Sequence, residues 1–158
     1  MIAMAPNYQA GKDFVAGFKR TFKGTVMDEL YPALNTTDFS ADLAQIASKK
    51  PDAIYVFMPG GLGVNFVKQF HQAGLGKSTI VVSASTVDGT TLPALKDAAL
   101  GWKSGTYWGP DFKNAANQKF VEDFEKKTGR IPSQYAAQSY DAAQLLDSAI
   151  RKVGGKVE

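Results

Sequence analysis

The sequence predicts an α/β fold: a three-layer sandwich in which a mainly parallel sheet carries helices on both faces. Over residues 1–83, short apolar segments rich in strand-forming residues alternate with segments whose apolar residues recur at helical spacing. The apolar run at residues 53–58 is continuous, which is typical of a parallel strand covered on both sides. Strands and helices that alternate in this way form βαβ units with right-handed crossovers.

Four strands and three helices are expected in the first half of the chain. The first helix is indicated by apolar residues at helical spacing from Phe14 to Phe22, and Gly24 is expected to end it. Thr37 or Asp38 is expected to accept a hydrogen bond from the free amides of the second helix, and Gly74 to close the third. The four strands are predicted at residues 1–5, 25–31, 53–58 and 79–83.

The second half of the chain is less regular. A short helix is predicted near residues 92–96 and an extended segment at residues 102–108. Asn114 is expected to cap a helix that runs to residue 127, and a long final helix is predicted over residues 135–153.

Composition and charge exclude several classes of protein. Hydrophobic residues make up 44% and charged residues 21%, which indicates a folded globular chain rather than a disordered one. The apolar runs fall far short of the roughly 20 residues that a membrane-spanning helix needs. The net charge of +3 is spread along the chain, so no nucleic-acid partner is expected. With no cysteine and with His71 as the single histidine, neither a metal site of those ligands nor any other cofactor is expected.

Two glycine clusters invite comparison with nucleotide-binding loops. The cluster at residues 74–78 has His71 where a phosphate-binding loop needs its first glycine, and it follows a helix rather than a strand. The cluster at residues 60–63 does follow a strand. Phe66 replaces the third glycine of the dinucleotide fingerprint, however, and the next strand ends in Ser83 instead of an acid. No catalytic constellation emerges, so we do not expect an enzyme.

Loops at the carboxyl ends of parallel strands are where open α/β sheets bind ligands. Four loops are expected at that edge, at residues 7–11, 31–36, 59–61 and 83–87. Tyr8 and Tyr31 lie in two of them, where their rings can stack on a ligand. Trp102 and Trp108 are either ligand-facing or part of the core.

Four segments, in order and at fitting spacing along nearly the whole chain, resemble the type I periplasmic binding proteins of the branched-chain amino acid class of ABC transporters. They are APNYQAG at residues 5–11, NTTDFS at 35–40, KPDAIYVFMPGG at 50–61 and YDAA at 140–143. Members of this family have two α/β lobes that close on a solute. The resemblance implies that residues 1–131 form mainly the second lobe, and that residues 132–158 form a helix returning toward a first lobe absent from this chain.

The opening residues lack the basic leader of a signal peptide and are expected to form a strand, so we expect a piece of a longer protein. The apolar face of the final helix, which includes Leu145, Leu146 and Ile150, would then be left uncovered and could support self-association.

The resemblance further implies a periplasmic solute-binding component of an ABC-type importer, with permease subunits as partners and a small carboxylate as ligand. Tyr8 corresponds to the family's ligand-stacking tyrosine. In amino-acid binders of the family an acid near residues 29–31 helps to hold the ligand ammonium. If Leu30 fills that position, an aromatic acid becomes as plausible as leucine or valine. The predicted ligand-binding residues are Tyr8, Tyr31, Pro59, Gly60 and Ser83.

Two alternatives stay open at this stage. A ligand-sensing regulatory domain of the same fold would bind its ligand by the same physics. A nucleotide-binding α/β enzyme is disfavoured by its missing motifs.

Overall fold

The structure, a computed structural model, describes residues 1–156. The chain divides into two compact units: unit 1 is Met1–Gly105, and unit 2 begins at Thr106. No helix within the described residues is both long enough and apolar enough to cross a membrane. The predicted division of the chain at residue 131, between a second lobe and a helix that returns toward a first lobe, stays a prediction.

Unit 1 is built on a five-stranded parallel sheet with the order β2-β1-β3-β4-β5. The four predicted strands are confirmed, although β2 is shorter than predicted. The fifth strand lies within the segment that was expected only to be extended. It is an exposed edge strand without an apolar pattern, so periodicity alone does not identify it. The strands are β1 (Ile2–Met4), β2 (Asp28–Leu30), β3 (Ala53–Phe57), β4 (Ile80–Ala84) and β5 (Lys103–Gly105).

Four α-helices connect these strands: α1 (Gln9–Thr21), α2 (Ser40–Lys49), α3 (Gly60–Gln72) and the short α4 (Leu92–Leu95). Single 3₁₀ turns follow α3 and α4, at Leu75–Lys77 and Lys96–Ala99. Helix α1 ends three residues before Gly24, earlier than predicted. The hydrogen bond predicted at the start of α2 is present, because Asp38 Oδ1 accepts from the Ser40 amide at 2.9 Å, but the residue at the N-cap position is Phe39. Gly74 follows α3 with a φ of 70°, as a helix-closing glycine does.

Helices cover both faces of the sheet, which confirms the predicted three-layer α/β fold. On the face that we call the α2/α3 face, the sheet packs against Phe39, Phe66 and Phe70. The opposite α1 face is smaller and packs against Val15 and Phe18 of α1. Neighbouring strand residues alternate between the faces, so that Ile54 and Val56 face α2 and α3 whereas Tyr55 and Phe57 face α1.

Unit 2 contains α5 (Ala115–Thr128) and α6 (Gln134–Lys152), both close to their predicted bounds. The Asn114 side chain caps α5 by accepting a hydrogen bond from the Asn117 amide at 2.8 Å, as predicted. The buried Asn117 side chain organises the preceding loop: its amide donates to three backbone carbonyls, and its oxygen accepts from Trp108 Nε1 at 2.7 Å. Phe120 on α5 packs against Tyr140 on α6, with ring centroids 4.8 Å apart and the ring planes tilted by 41°.

Candidate functional site

The carboxyl edge of the unit 1 sheet contains its topological switch point. Strand β1 lies between β2 and β3, and the chain leaves β1 first toward β2 and later reaches β3 on the other side. The loops that follow β1 and β3 therefore diverge to opposite faces of the sheet and leave a crevice between them. In sheets with this strand order, the crevice at the β1/β3 switch point is the usual ligand site.

Tyr8 lies in the loop that follows β1, immediately before α1. Its amide donates to the Pro6 carbonyl at 2.8 Å, and its carbonyl accepts from the Lys12 amide at 3.2 Å. The ring is half-buried at the rim of the α1-face cluster. Helix α1 approaches this loop so closely that a Cβ on Gly11 would lie 2.1 Å from the Pro6 carbonyl oxygen. The close packing holds the backbone around Tyr8 in place.

Tyr31 follows β2 in the neighbouring loop. The Asn7 amide donates to the Pro32 carbonyl at 2.8 Å, so the loops that carry the two tyrosines are joined at the edge of the sheet. The Tyr31 hydroxyl donates to Glu29 Oε2 at 2.7 Å and is therefore directed back toward β2. Burial, together with that hydrogen bond, raises the pKa of Tyr31 to about 12.

Glu29 already has two partners on the α1 face. Its other carboxylate oxygen accepts a charge-assisted hydrogen bond from the Lys19 ammonium of α1. The Lys19 hydrogen bond, followed by that of Tyr31, lowers the pKa of the Glu29 carboxyl, so the group is ionised at neutral pH. Leu30, the alternative residue for the ammonium-binding position, is buried on the α2/α3 face.

A groove of about 310 Å³ runs beside this group, between α1 and β2. Two of its cations, Lys12 and Arg20, have no carboxylate partner among the described residues, whereas Lys19 is paired with Glu29. The groove therefore carries more positive than negative charge. It is lined by Lys12, Val15, Ala16, Lys19, Arg20, Glu29 and Tyr31.

Pro59 and Gly60 form the turn from β3 into α3. Pro59 precedes the helix in an extended conformation, and Gly60 has a φ of 65°, which favours glycine. The Pro59 side chain does not cap α3, and the first amides of a helix have no acceptor within it. Backbone donors of α3 thus lie at the switch-point crevice, where an anionic ligand group is favoured.

Two residues outside the predicted set support this turn. The Thr86 hydroxyl is fully buried and accepts from the Met58 amide at 2.8 Å. Gly63 lets the first turn of α3 pack on β3, because a Cβ there would lie 2.0 Å from the Met58 carbonyl oxygen. Sequence patterns did not single out Thr86, because its contact with Met58 joins residues 28 positions apart. The third glycine of the cluster at residues 60–63 was the available signal for Gly63.

Ser83 differs from the other four predicted residues in its position. It lies inside β4, is buried, and places its hydroxyl oxygen 3.1 Å from that of Ser104 on β5. The structure thus brings Tyr8, Tyr31, Pro59 and Gly60 to the loops of the carboxyl edge, while Ser83 lies one residue before the end of its strand.

The tryptophans are held by the interiors of their own units. Trp102 packs edge-to-face against Phe66 and Phe70, and Trp108 donates its indole N–H to Asn117. Within residues 1–156, no cluster of three or more histidine, cysteine or acidic side chains is arranged to hold a metal ion. A second cavity, of about 550 Å³, lies at the amino ends of the strands beside Asp52 and Ala53 and contains none of the predicted ligand residues.

An open parallel sheet with a crevice at its switch point defines the class of ligand-binding α/β proteins. Within that class, the sequence matches the model of the periplasmic binding protein family over residues 1–158, and the chain belongs to that family.

Individual relatives are similar over almost the whole chain. A solute-binding protein of an ABC transporter from R. palustris, solved in complex with benzoate, is 35% identical with a TM-score of 0.92, covering 98% of this chain and 43% of that one. A solute-binding protein from Rhodopseudomonas palustris BisB5, solved with 3,4-dihydroxybenzoic acid, is 33% identical with a TM-score of 0.87, covering 99% of this chain and 45% of that one.

A third relative is a Brucella melitensis protein named Leu/Ile/Val-binding protein homolog 6. It is 28% identical over 99% of this chain. The chain spans only 42% of the length of that protein, so it corresponds to less than half of the relatives that it resembles.

Proposed function

We propose that this chain is the ligand-binding lobe of the solute-binding component of an ABC-type importer. In this proposal it is a non-enzymatic periplasmic protein that captures a small carboxylate and delivers it to the permease subunits. The observation that carries the proposal is the family match over residues 1–158. The solute-binding proteins solved with benzoate and with 3,4-dihydroxybenzoic acid support it.

The proposed contribution of this lobe to the site is the carboxyl edge of the sheet. Tyr8 supplies a half-buried ring for stacking, and Tyr31 supplies a second ring whose orientation is set by Glu29. Pro59 and Gly60 bring the first amides of α3 to the crevice, and Ser83 supports the neighbouring strand end. The first lobe, outside this chain, would supply the remaining contacts.

We favour an aromatic carboxylate over a branched-chain amino acid as the ligand. An amino acid needs a free carboxylate for its ammonium group. Glu29, the acid in the predicted segment, already accepts hydrogen bonds from Lys19 and Tyr31, so a ligand ammonium would have to displace Lys19. A benzoate-like acid has no such requirement. Leucine and valine remain the alternative, supported by the name of the Brucella relative.

We also propose that residues 1–131 act as the second lobe and that residues 132–158 return toward a first lobe. The share of the relatives that the chain spans supports this division, because more than half of each relative lies outside the matched region. Residues 157–158 of that proposed segment lie outside the described residues.

The thermal midpoint of the intact gene product, measured with a ligand panel, tests the function. Benzoate and 4-hydroxybenzoate are compared with leucine, valine and adenine nucleotides, because a ligand at 100 times its dissociation constant adds about 2.7 kcal/mol to stability. We expect the benzoates to raise the midpoint and the amino acids not to. A shift with leucine alone would overturn the ligand class but keep solute binding. A shift with nucleotides alone would overturn the proposal and favour the enzyme.

A pair of variants at Tyr8 tests the site. Tyr8→Ala is expected to weaken benzoate binding about tenfold, since an aromatic pair contributes roughly 0.5–1.5 kcal/mol beyond its buried area. Tyr8→Phe keeps the ring and should bind as the unchanged protein does. Equal affinities for all three proteins in calorimetry would remove Tyr8 from the site.

An uptake experiment separates an importer from a regulatory sensor. Uptake of labelled benzoate is measured in cells that lack the gene. Uptake that is unaffected favours the sensor.

A further inference from the structure

Strand β2 is the end strand of the unit 1 sheet and, within the described part of the chain, pairs with β1 alone. Unpaired backbone N–H and C=O groups at the edge of a sheet are a template to which another extended chain can add. Short strands and charged side chains counter this hazard. Strand β2 has both features, because it contains three residues of which two are acids.

The Glu29 amide is the backbone donor that an added strand would use. This amide does not bond to β1. It donates to Asp28 Oδ1, on the side chain of the preceding residue, at 2.9 Å. A carboxylate oxygen of the same strand has therefore taken the position that the carbonyl of a neighbouring strand would fill.

The Asp28 carboxylate is fixed in this position by α2. Its other oxygen accepts from Gln45 Nε2 at 2.6 Å and from Lys49 Nζ at 2.5 Å. Gln45 and Lys49 are one helical turn apart, so a single rigid element holds both donors. The hydrogen bond from Lys49 lowers the pKa of Asp28, and the carboxylate is ionised at neutral pH.

The opposite face of β2 has a matching ion pair. The Glu29 carboxylate accepts from Lys19 of α1, so each acid of the strand is paired with a lysine from the helix on its own face. An added strand would meet charged side chains on both faces and would have to displace Asp28 from the Glu29 amide. All of these donors and acceptors belong to this chain, so the closure of the edge does not depend on the parts of the protein outside it.

We propose that Asp28 is an edge guard: its hydrogen bond with the Glu29 amide closes the open edge of β2 to pairing with the same edge of a second copy. Without the carboxylate, the Glu29 residues of two copies can exchange both of their N–H···O bonds across an antiparallel contact, as directly opposed residues of a hydrogen-bonded pair do. Such a contact joins identical surfaces and closes at a dimer.

Sedimentation velocity of the intact gene product tests the guard. Asp28→Val removes the acceptor and supplies a strand-forming side chain. Its dimer dissociation constant should lie at least about tenfold below that of the unchanged protein, because two backbone hydrogen bonds form across the contact. Asp123→Val is the matched control, since it removes an ion-paired acid of α5, away from any strand edge. Circular dichroism should show that both variants are folded. Asp28→Val protein that associates no more than the control would overturn the proposal.

A conservative variant and amide exchange locate the contact. Asp28→Asn keeps an oxygen that can accept from the Glu29 amide, so it should associate less than Asp28→Val does. In concentrated Asp28→Val protein the Glu29 amide should exchange more slowly than in the dilute monomer, because pairing covers it. Equal association of the two variants, or exchange at Glu29 that does not depend on concentration, would contradict a guard that acts through this hydrogen bond.

Discussion

The two faces of the unit 1 sheet are covered by helices in different ways. On the α2/α3 face, three phenylalanines and the apolar residues of β1 and β3 form a cluster whose members are almost all below one-tenth exposed. On the α1 face, a smaller cluster that includes Ala3 of β1 packs against one helix, and beside it lies a groove with a Lys19–Glu29 ion pair. The α2/α3 face therefore supplies most of the buried apolar contact of the sheet, whereas the α1 face leaves polar side chains near the carboxyl edge.

The largest expected effect is on the α2/α3 face. Phe66 is fully buried and contacts Phe39 and Trp102 through its ring, so Phe66→Ala should destabilise the chain by about 3–5 kcal/mol. Phe14 on the α1 face also stacks on a sheet residue, Phe57, but is 39% exposed. Phe14→Ala should therefore cost less than half as much in urea unfolding. Equal costs would contradict the distinction between the faces.

The second-largest loss of stability is expected where α3 approaches β3 closely. Gly63→Ala would place a Cβ against the Met58 carbonyl and should cost about 1–3 kcal/mol or more as the backbone shifts. Gly61→Ala is the matched control: it lies two residues earlier, has open space around it and has no positive φ, so it should be nearly neutral. Thermal unfolding of both variants measures the difference. A neutral Gly63→Ala would show that this end of α3 is loosely packed.

Removing the Thr86 hydroxyl should have an intermediate effect. Thr86→Val preserves shape but leaves the buried Met58 amide without its acceptor, at a cost of about 1–3 kcal/mol. Thr86→Ser keeps the hydroxyl and should retain amide-exchange protection at Met58 despite the lost methyl group. If Thr86→Val exchanged as slowly as the unchanged protein, the Thr86 contact would not support the β3–α3 turn.

The smallest effect is expected on the α1 face and depends on pH. The pKa of Glu29 is lowered by folding, so its contribution to stability is present above its ordinary pKa of 4.5 and is lost as the pH falls below that value. The pKa of Tyr31 is raised to about 12, so its contribution is present below pH 10 and is lost as the pH rises from 10 toward 12.

Two variants separate these contributions. Glu29→Gln should remove the acidic component and Tyr31→Phe the alkaline one, each below about 1 kcal/mol because Lys19 and Glu29 are partly exposed. Asp123→Asn, in an exposed pair on α5, is the control and should leave both ends of the stability curve unchanged. Urea midpoints measured across the pH range give the curve, and identical curves for all proteins would mean that Glu29 and Tyr31 are not coupled in solution.

Most of the elements could be predicted because local patterns encode them. The continuous apolar run of β3 and the spacing of Phe66 and Phe70 on α3 specify a strand and a helix without reference to the rest of the chain. Strand β5 could be predicted only as an extended segment, because Lys-Ser-Gly carries no such pattern and becomes a strand by pairing with β4. The end of α1 was misplaced at Gly24 because the helix gives way to extended backbone at Phe22.

The candidate site was less predictable than the fold. Loop position was enough to identify Tyr8, Tyr31, Pro59 and Gly60 as residues of the carboxyl edge. The Lys19–Glu29 ion pair and the buried contact of Ser83 with Ser104 could not be inferred, because they join residues 10 and 21 positions apart.

By itself, the sequence determined that the chain is an α/β protein with helices on both faces and with the candidate loops at one edge of the sheet, because hydrophobic periodicity and turn residues act over short distances. Tertiary structure alone decided that Glu29 pairs with Lys19, that Ser83 lies beside Ser104 of β5, and that the Thr86 hydroxyl accepts from the Met58 amide. These features depend on which segments meet in space, and that depends on the packing of the whole chain rather than on any local pattern.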